Sequence, residues 1–177
     1  MADAFIERKL KTYFSRIDFD KDGAITRSDF EGLGTRFVES EKLDAAKGAD
    51  LKAKLVQVWE QYLKGVVSDG TRLTQAVFVE AVKKQLGDPN FKKVLAGPLP
   101  LFFSAVDGNG DGLIQKDEFQ LFFKLLGIPE SAEKSFEAID TNKDGDISKE
   151  EFVIAGTDFF TSTDESSPSK YFWGPLV

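Results

Sequence analysis

Three stretches of the sequence carry oxygen-bearing side chains at one repeated spacing. Asp18, Asp20 and Asp22, then Asp107, Asn109 and Asp111, then Asp140, Asn142 and Asp144 hold the first, third and fifth places of three twelve-residue segments. Each segment continues with glycine at the sixth place (Gly23, Gly112, Gly145) and isoleucine at the eighth (Ile25, Ile114, Ile147). Each ends in a carboxylate at the twelfth (Asp29, Glu118, Glu151), followed by phenylalanine (Phe30, Phe119, Phe152). A hard cation such as Ca²⁺ takes roughly six to eight oxygens at about 2.3–2.6 Å, and this pattern supplies them. The glycine allows a sharp turn, after which the seventh residue (Ala24, Leu113, Asp146) offers its backbone carbonyl. The Asp146 carboxylate itself is expected to face solvent. The ninth residue (Thr26, Gln115, Ser148) acts through a water, and the twelfth arrives from the first turn of the next helix to close the shell.

These are the marks of EF-hand calcium loops, and three matches with the same glycine, isoleucine and phenylalanine leave little room for coincidence. Other chemistry is excluded by composition. The chain has no Cys and no His, which removes disulfides, thiolate nucleophiles, Cys/His zinc sites, Ser-His-Asp triads and histidine bases. Nothing outside the loops marks a pocket acid or base, so no enzyme is expected.

Helices must hold such loops at both ends. Ile6, Leu10, Tyr13, Phe14 and Ile17 recur at helical spacing before the first loop, and Phe136 and Ile139 do so before the last, after a helix start at Pro129. Calcium loops of this kind pair through a short antiparallel bridge at the eighth position, so Ile114 is expected to face Ile147. The first loop needs a partner before Asp107. Aligning Leu73 and Phe78 with Ile25 and Phe30 places the first, third, fifth and twelfth positions of that partner on Val66, Ser68, Gly70 and Val77. None is a carboxylate. The stretch Ser68-Asp69-Gly70-Thr71 is then either an ordinary turn or a degenerate hand kept as a structural partner, and the ruler favours the hand. Its entering helix carries Leu51, Leu55, Val58, Trp59, Tyr62 and Leu63 as core, and its exiting helix Val77, Phe78, Ala81, Val82 and Leu86.

The expected architecture is all-α: four EF-hands in two paired lobes packed into one body, with short antiparallel β bridges between paired loops. Gly87-Asp88-Pro89-Asn90 breaks the chain between a pair at 1–87 and a pair at 91–160. Gly97-Pro98-Leu99-Pro100 and Gly127-Ile128-Pro129 break it again. A polar linker over 161–169 leads to an apolar tail of Tyr171, Phe172, Trp173, Leu176 and Val177.

The 177 residues are 41% hydrophobic, enough for a core, with 23 Lys and Arg against 30 Asp and Glu. A net charge of −7 argues against nucleic acid as a partner. Met1-Ala2-Asp3-Ala4 leads into a charged helical pattern unlike a signal peptide, Ala2 replaces a myristoylation glycine, and no run suits a membrane helix. The expectation is a monomeric cytoplasmic protein with no membrane attachment and no obligatory protein partner. Ten of the 30 acids stand at ligand positions; without them the 23 bases exceed the remaining acids by three. The acidity is concentrated in the loops, and three bound Ca²⁺ would bring −7 to −1.

Further blocks carry a more specific likeness. Lys11-Thr12-Tyr13-Phe14, the run Arg16 to Arg27, Gly97-Pro98-Leu99-Pro100-Leu101-Phe102-Phe103, Glu151-Phe152-Val153-Ile154-Ala155-Gly156 and Phe172-Trp173-Gly174-Pro175-Leu176-Val177 make the chain resemble the invertebrate sarcoplasmic calcium-binding proteins, the annelid type most of all. The likeness runs from near residue 5 onward and is weakest across 38–96. It implies four hands with the second inactive, a soluble Ca²⁺/Mg²⁺ buffer of muscle and neurons, and a tail packed on the body.

One Met against 17 Phe favours a fixed core over the adaptable Met-rich groove of a sensor. A sensor, or a protein holding a small apolar ligand in its core, stays as the alternative. Photoproteins share the layout but need His, which is absent. Among the sites, Asp29 is one methylene shorter than the usual Glu, which suits Mg²⁺ and makes the first loop the least selective for Ca²⁺. Gly108 and Gly110 make the loop at Asp107 the most flexible and therefore weaker than the loop at Asp140.

Overall fold

The computed structural model describes residues 2–41, 45–67 and 70–177. Helix α1 (Ala2–Ile17) enters the first loop, strand β1 (Ala24–Ile25) crosses it, and α2 (Arg27–Glu41) leaves it. Helix α3 (Ala45–Val58) continues into a π-helical turn at Trp59–Leu63 and a 3-10 turn at Lys64–Val66. Strand β2 (Leu73–Thr74) and α4 (Gln75–Gln85) complete the first half. The second half comprises α5 (Phe91–Ala96), α6 (Leu99–Val106), β3 (Leu113–Ile114), α7 (Lys116–Leu125), α8 (Ala132–Ile139), β4 (Ile147–Ser148) and α9 (Lys149–Thr161). The breaks at Gly87–Asn90 and at Gly97-Pro98 fall between helices as their composition requires.

Both bridges form in the expected register. Ile25 faces Leu73 and Ile114 faces Ile147, each pair antiparallel and each of the four residues fully buried. The Leu73 ruler therefore located a true partner for the first loop. Ser68, its third position, lies outside the described residues. Two details differ from expectation. Val77 is 41% exposed rather than core, because Phe78 and Val82 take the inward face of α4 and its neighbours turn outward. Pro129 opens a 3-10 turn (Pro129–Ser131), and α8 proper begins at Ala132.

One contiguous core runs through both halves. Helix α3 packs on α6, α5 on α9, and α2 on α7. Tyr171, half-buried, precedes Phe172 and Trp173, which turn inward. The Trp173 ring meets Tyr13, Phe102, Phe122 and Phe172 at centroid distances of 5.2, 5.3, 5.9 and 5.5 Å, all edge-on. Edge-to-face contacts of this kind place positive ring edges on negative faces. Arg16 donates from Nε to the Trp173 carbonyl and from Nη2 to the Pro175 carbonyl, both at 3.1 Å. The Val177 N–H reaches Thr12 Oγ1 at 3.0 Å. Gly174 holds φ +82° between these anchors, where a Cβ would also strike Ile128.

Candidate metal centres

The first loop bends back on its own side chains. Asp18 Oδ2 accepts the Gly23 N–H at 3.1 Å, Asp20 Oδ1 the Asp22 N–H at 3.0 Å, and Asp22 Oδ1 the Ala24 N–H at 3.0 Å. Gly23 sits at φ +87°, a conformation costly for other residues. As a result, carboxylate oxygens of Asp18, Asp20 and Asp22 lie within 4.8 Å of one another. Anions so close repel unless a cation is shared between them. Asp18 Oδ1 is buried and has no hydrogen-bond partner. Burial raises the Asp18 carboxyl above the usual carboxylate range, the Gly23 N–H opposes that, and Asp29 adds to it. An unpaired buried oxygen beside two further carboxylates fits a hard divalent ion.

The loop at Asp140 repeats the arrangement. Asp140 Oδ2 accepts the Gly145 N–H at 3.1 Å, while Oδ1 is buried without a partner. Asn142 Oδ1 takes the Asp144 N–H at 2.8 Å, and Asp144 Oδ1 the Asp146 N–H at 3.0 Å. The loop at Asp107 differs at its first residue. Asp107 places Oδ1 on the Gly110 N–H at 2.8 Å and Oδ2 on the Gly112 N–H at 3.0 Å, so both oxygens are engaged. Asn109 Oδ1 accepts from Asp111 at 2.7 Å, and Asp111 Oδ1 from Leu113 at 3.0 Å. Of the seventh residues, Ala24 and Leu113 begin β1 and β3, and Asp146 directly precedes β4.

The twelfth residues clasp the two ends of each loop. Glu151 takes the Thr141 and Asn142 N–H groups on Oε1 at 3.0 and 3.2 Å and the Ser148 N–H on Oε2 at 3.0 Å. Glu118 takes Asn109 N–H at 3.1 Å and Gln115 N–H at 3.0 Å. Asp29 makes the same closure despite its shorter stem, accepting from Phe19 at 2.7 Å, Asp20 at 3.3 Å and Thr26 at 2.8 Å. The ninth residues serve the same clasp. Gln115 and Ser148 form capping boxes with Glu118 and Glu151, and Thr26 Oγ1 lies 3.0 Å from Asp29 Oδ2. One pair of residues thus caps the exiting helix and fixes the closing ligand.

Environment separates the closing carboxyls. Burial raises Glu118 above its ordinary value, outweighing the N–H groups that face it. Burial also pushes on Glu151, but the Ser148 N–H and hydroxyl, the Asn142 N–H and the Thr141 hydroxyl bring it below the usual range. Two contributors escaped sequence reasoning. Thr141, at the second place, donates its hydroxyl to Glu151 Oε1 at 3.0 Å, and nothing in the spacing marks it. Arg72 Nη1 lies 2.8 Å from Asp22 Oδ2; only the β1–β2 register brings it there.

Comparison with known proteins agrees with this geometry. The EF-hand domain pair family matches residues 100–155, and the EF hand family matches residues 10–33. The sarcoplasmic calcium-binding protein of Perinereis vancaurica tetradentata is 53% identical over 171 residues, covering 96% of this chain and 97% of that protein. That of Hediste diversicolor is 50% identical, with the same coverage of both chains. Among solved structures, the coelenterazine-binding protein of Renilla muelleri in its Ca-loaded apo form superimposes with a TM-score of 0.85 at 27% identity, covering 99% of this chain and 98% of that one. Loops built to gather oxygens, carried on a chain half identical to two annelid proteins along nearly its whole length, place it in the sarcoplasmic calcium-binding protein family of EF-hand, calcium-binding proteins.

Proposed function

We propose that the protein is a Ca²⁺/Mg²⁺ buffer working as a cytoplasmic monomer, with three ion sites and no catalytic activity. Asp18, Asp20, Asp22, Ala24, Thr26 and Asp29 form the first site. Asp107, Asn109, Asp111, Leu113, Gln115 and Glu118 form the second, and Asp140, Asn142, Asp144, Asp146, Ser148 and Glu151 the third. Residues 1–87 and 91–160 act as two hand pairs, locked together by the tail at 161–177. The observation that carries the buffer reading is the seat of Trp173. It is fully buried among rings from α1, α6 and α7, where a sensor would keep a groove for its target. Among the described residues the exposed large apolar side chains are Val77, Val94, Leu113, Ile154 and Val177, dispersed over the sequence.

Because Mg²⁺ wants about six oxygens at roughly 2.0–2.1 Å and sheds water slowly, resting Mg²⁺ delays Ca²⁺ uptake, and the protein shapes decay more than rise. Asp29 makes the first site the one where Mg²⁺ competes best. Calorimetric titration with Ca²⁺, with and without Mg²⁺, tests this alongside a hydrophobic dye. Three sites and a flat dye signal are expected; a large dye response on loading would instead identify a sensor. Asp29→Glu should lower Mg²⁺ competition at one site, and an unchanged competition curve would remove that part of the proposal.

A second reading rests on a cavity of about 100 Å³ bordered by Tyr13, Tyr62, Phe78, Phe91, Leu99 and Trp173. Trp173, one of the residues that border it, has its Nε1 buried without a hydrogen-bond partner. The space suits a small flat apolar molecule with one hydrogen-bond acceptor. Acetophenone tests it: a shift of the Trp173 indole N–H resonance is expected, and an unmoved signal at saturating probe discards this reading.

A further inference from the structure

The second hand offers no carboxylate at its aligned first, fifth and twelfth positions, yet it reaches into the first loop. Arg72 stands just before β2, and continuing the bridge register from Ile25–Leu73 sets it opposite Thr26. From there Nη1 lies 2.8 Å from Oδ2 of Asp22, with the two side chains 54% and 36% exposed. We propose that Arg72 sets the affinity of the first metal site, lowering it by holding a fixed cation against one of the site's four carboxylates.

The other loops separate orientation from charge. In all three, the fifth residue is oriented by an N–H two residues on: Ala24 for Asp22, Leu113 for Asp111 and Asp146 for Asp144, each at 3.0 Å. Asp22 therefore needs no arginine to point correctly. What differs is the group on the other oxygen. Asp111 Oδ2 meets the neutral Gln115 amide at 3.1 Å, and Asp144 Oδ2 the neutral Asn142 amide at 2.8 Å, both from within their own loops. Asp22 Oδ2 meets a guanidinium supplied by the neighbouring hand. At the position matching Arg72 across the other bridge, the Asp140 loop carries an anion, Asp146, opposite Gln115.

The first loop has four ligand carboxylates where the others have three. Set against those four ligand carboxylates, the Arg72 charge leaves a balance of three, the number of ligand carboxylates in each other loop. A monovalent charge a few ångströms from a divalent ion, in a partly solvated and screened setting, changes affinity about three- to tenfold. It repels Ca²⁺ and Mg²⁺ alike, so their ratio is left to Asp29. The inactive hand thereby acts as an electrostatic partner as well as a β-bridge partner.

The proposal rests on the first loop being a metal site, and the experiment keeps the two apart. Calorimetry and the Gly23 amide resonance follow ion uptake in the full chain and in Arg72→Gln. The variant is expected to bind both Ca²⁺ and Mg²⁺ about three- to tenfold more tightly at the first loop at low salt, with the gain shrinking at roughly 0.5 M KCl. Arg72→Lys should behave like the parent, and in an Asp22→Asn background Arg72→Gln should have less than about a twofold effect, the pair being coupled. In metal-free protein, the Arg72 guanidinium nitrogen resonances should move on Asp22→Asn. A Gly23 response in the parent that is identical in Arg72→Gln, or weaker binding in that variant, overturns the proposal. A Gly23 amide that ignores metal in the parent removes the first site from the buffer reading.

Discussion

Asp107 commits both of its oxygens to its own loop, whereas Asp18 and Asp140 each retain one that nothing in the protein satisfies. A cation entering at Asp107 must share or displace a backbone bond, while at Asp140 it meets an oxygen already stripped of water. We predict that Glu118→Gln, which leaves the Asp140 loop intact, keeps tighter residual Ca²⁺ binding than Glu151→Gln. Titration calorimetry of the two variants checks this, and equal residual affinities would contradict it. A second residue gives a pH signature. Lys9 is 1% exposed, its ammonium donating to the Ser162 carbonyl at 2.5 Å and lying 4.6 Å from the Phe5 ring. Burial pulls it down from 10.5 to about 8, with Asp158 opposing. Between those values the unfolded chain holds a proton that the folded one has lost, so folding stability should rise with pH across that window. Lys9→Met should stabilise the fold by about 1 kcal/mol at neutral pH and flatten that rise, as read by denaturant melts from pH 7 to 11.

At the level of elements, the bridges and helices follow directly from spacing. The branched apolar residue at the eighth place and the phenylalanine after the loop located both antiparallel pairs, including the one whose loop has lost its ligands. Contacts between distant segments were not legible in this way. Val77 reads as apolar at helical spacing and lies outside, because one sequence pattern admits several helix rotations until neighbours select one. Arg72 and Thr141 acquire their roles through the bridge register and the loop closure, neither of which shows in local composition. Close approach is equally hidden. Gly156 in α9 sits against α6, where a Cβ would fall 2.6 Å from Leu99 Cδ2 and 3.0 Å from Phe172 Cζ. Gly156→Ala should therefore cost about 1–3 kcal/mol through overpacking, despite the higher helix propensity of alanine. A chemical melt measures it; a neutral result would mean that Leu99 can turn aside.

For the molecule as a whole, Trp173 is one of the places where the two halves meet, beside the α3–α6 and α2–α7 contacts. Its indole packs on α1 from the first pair and on α6 and α7 from the second. Trp173→Ala should cost about 3–5 kcal/mol, which lowers the melting temperature by roughly 10 °C for a domain of this size. The same variant should bind a hydrophobic dye in both metal-free and Ca²⁺-loaded states, since the space it vacates is lined by aromatic rings. A variant that melts normally and stays dye-silent would show that the halves hold together without it. The seat of this residue also orders events in time. Arg16 and the Pro175 carbonyl that it holds are 159 positions apart, and Val177 and Thr12 are 165. On a ribosome, Tyr13 and Phe14 of α1 meet Phe78 of α4 well before the tail is made, whereas the contacts of α1 with Trp173, Pro175 and Val177 must wait for those residues. Contacts of such long range close slowly. The first helix therefore lacks these neighbours until residues 171–177 arrive, and its packing around Thr12 and Tyr13 is completed only then.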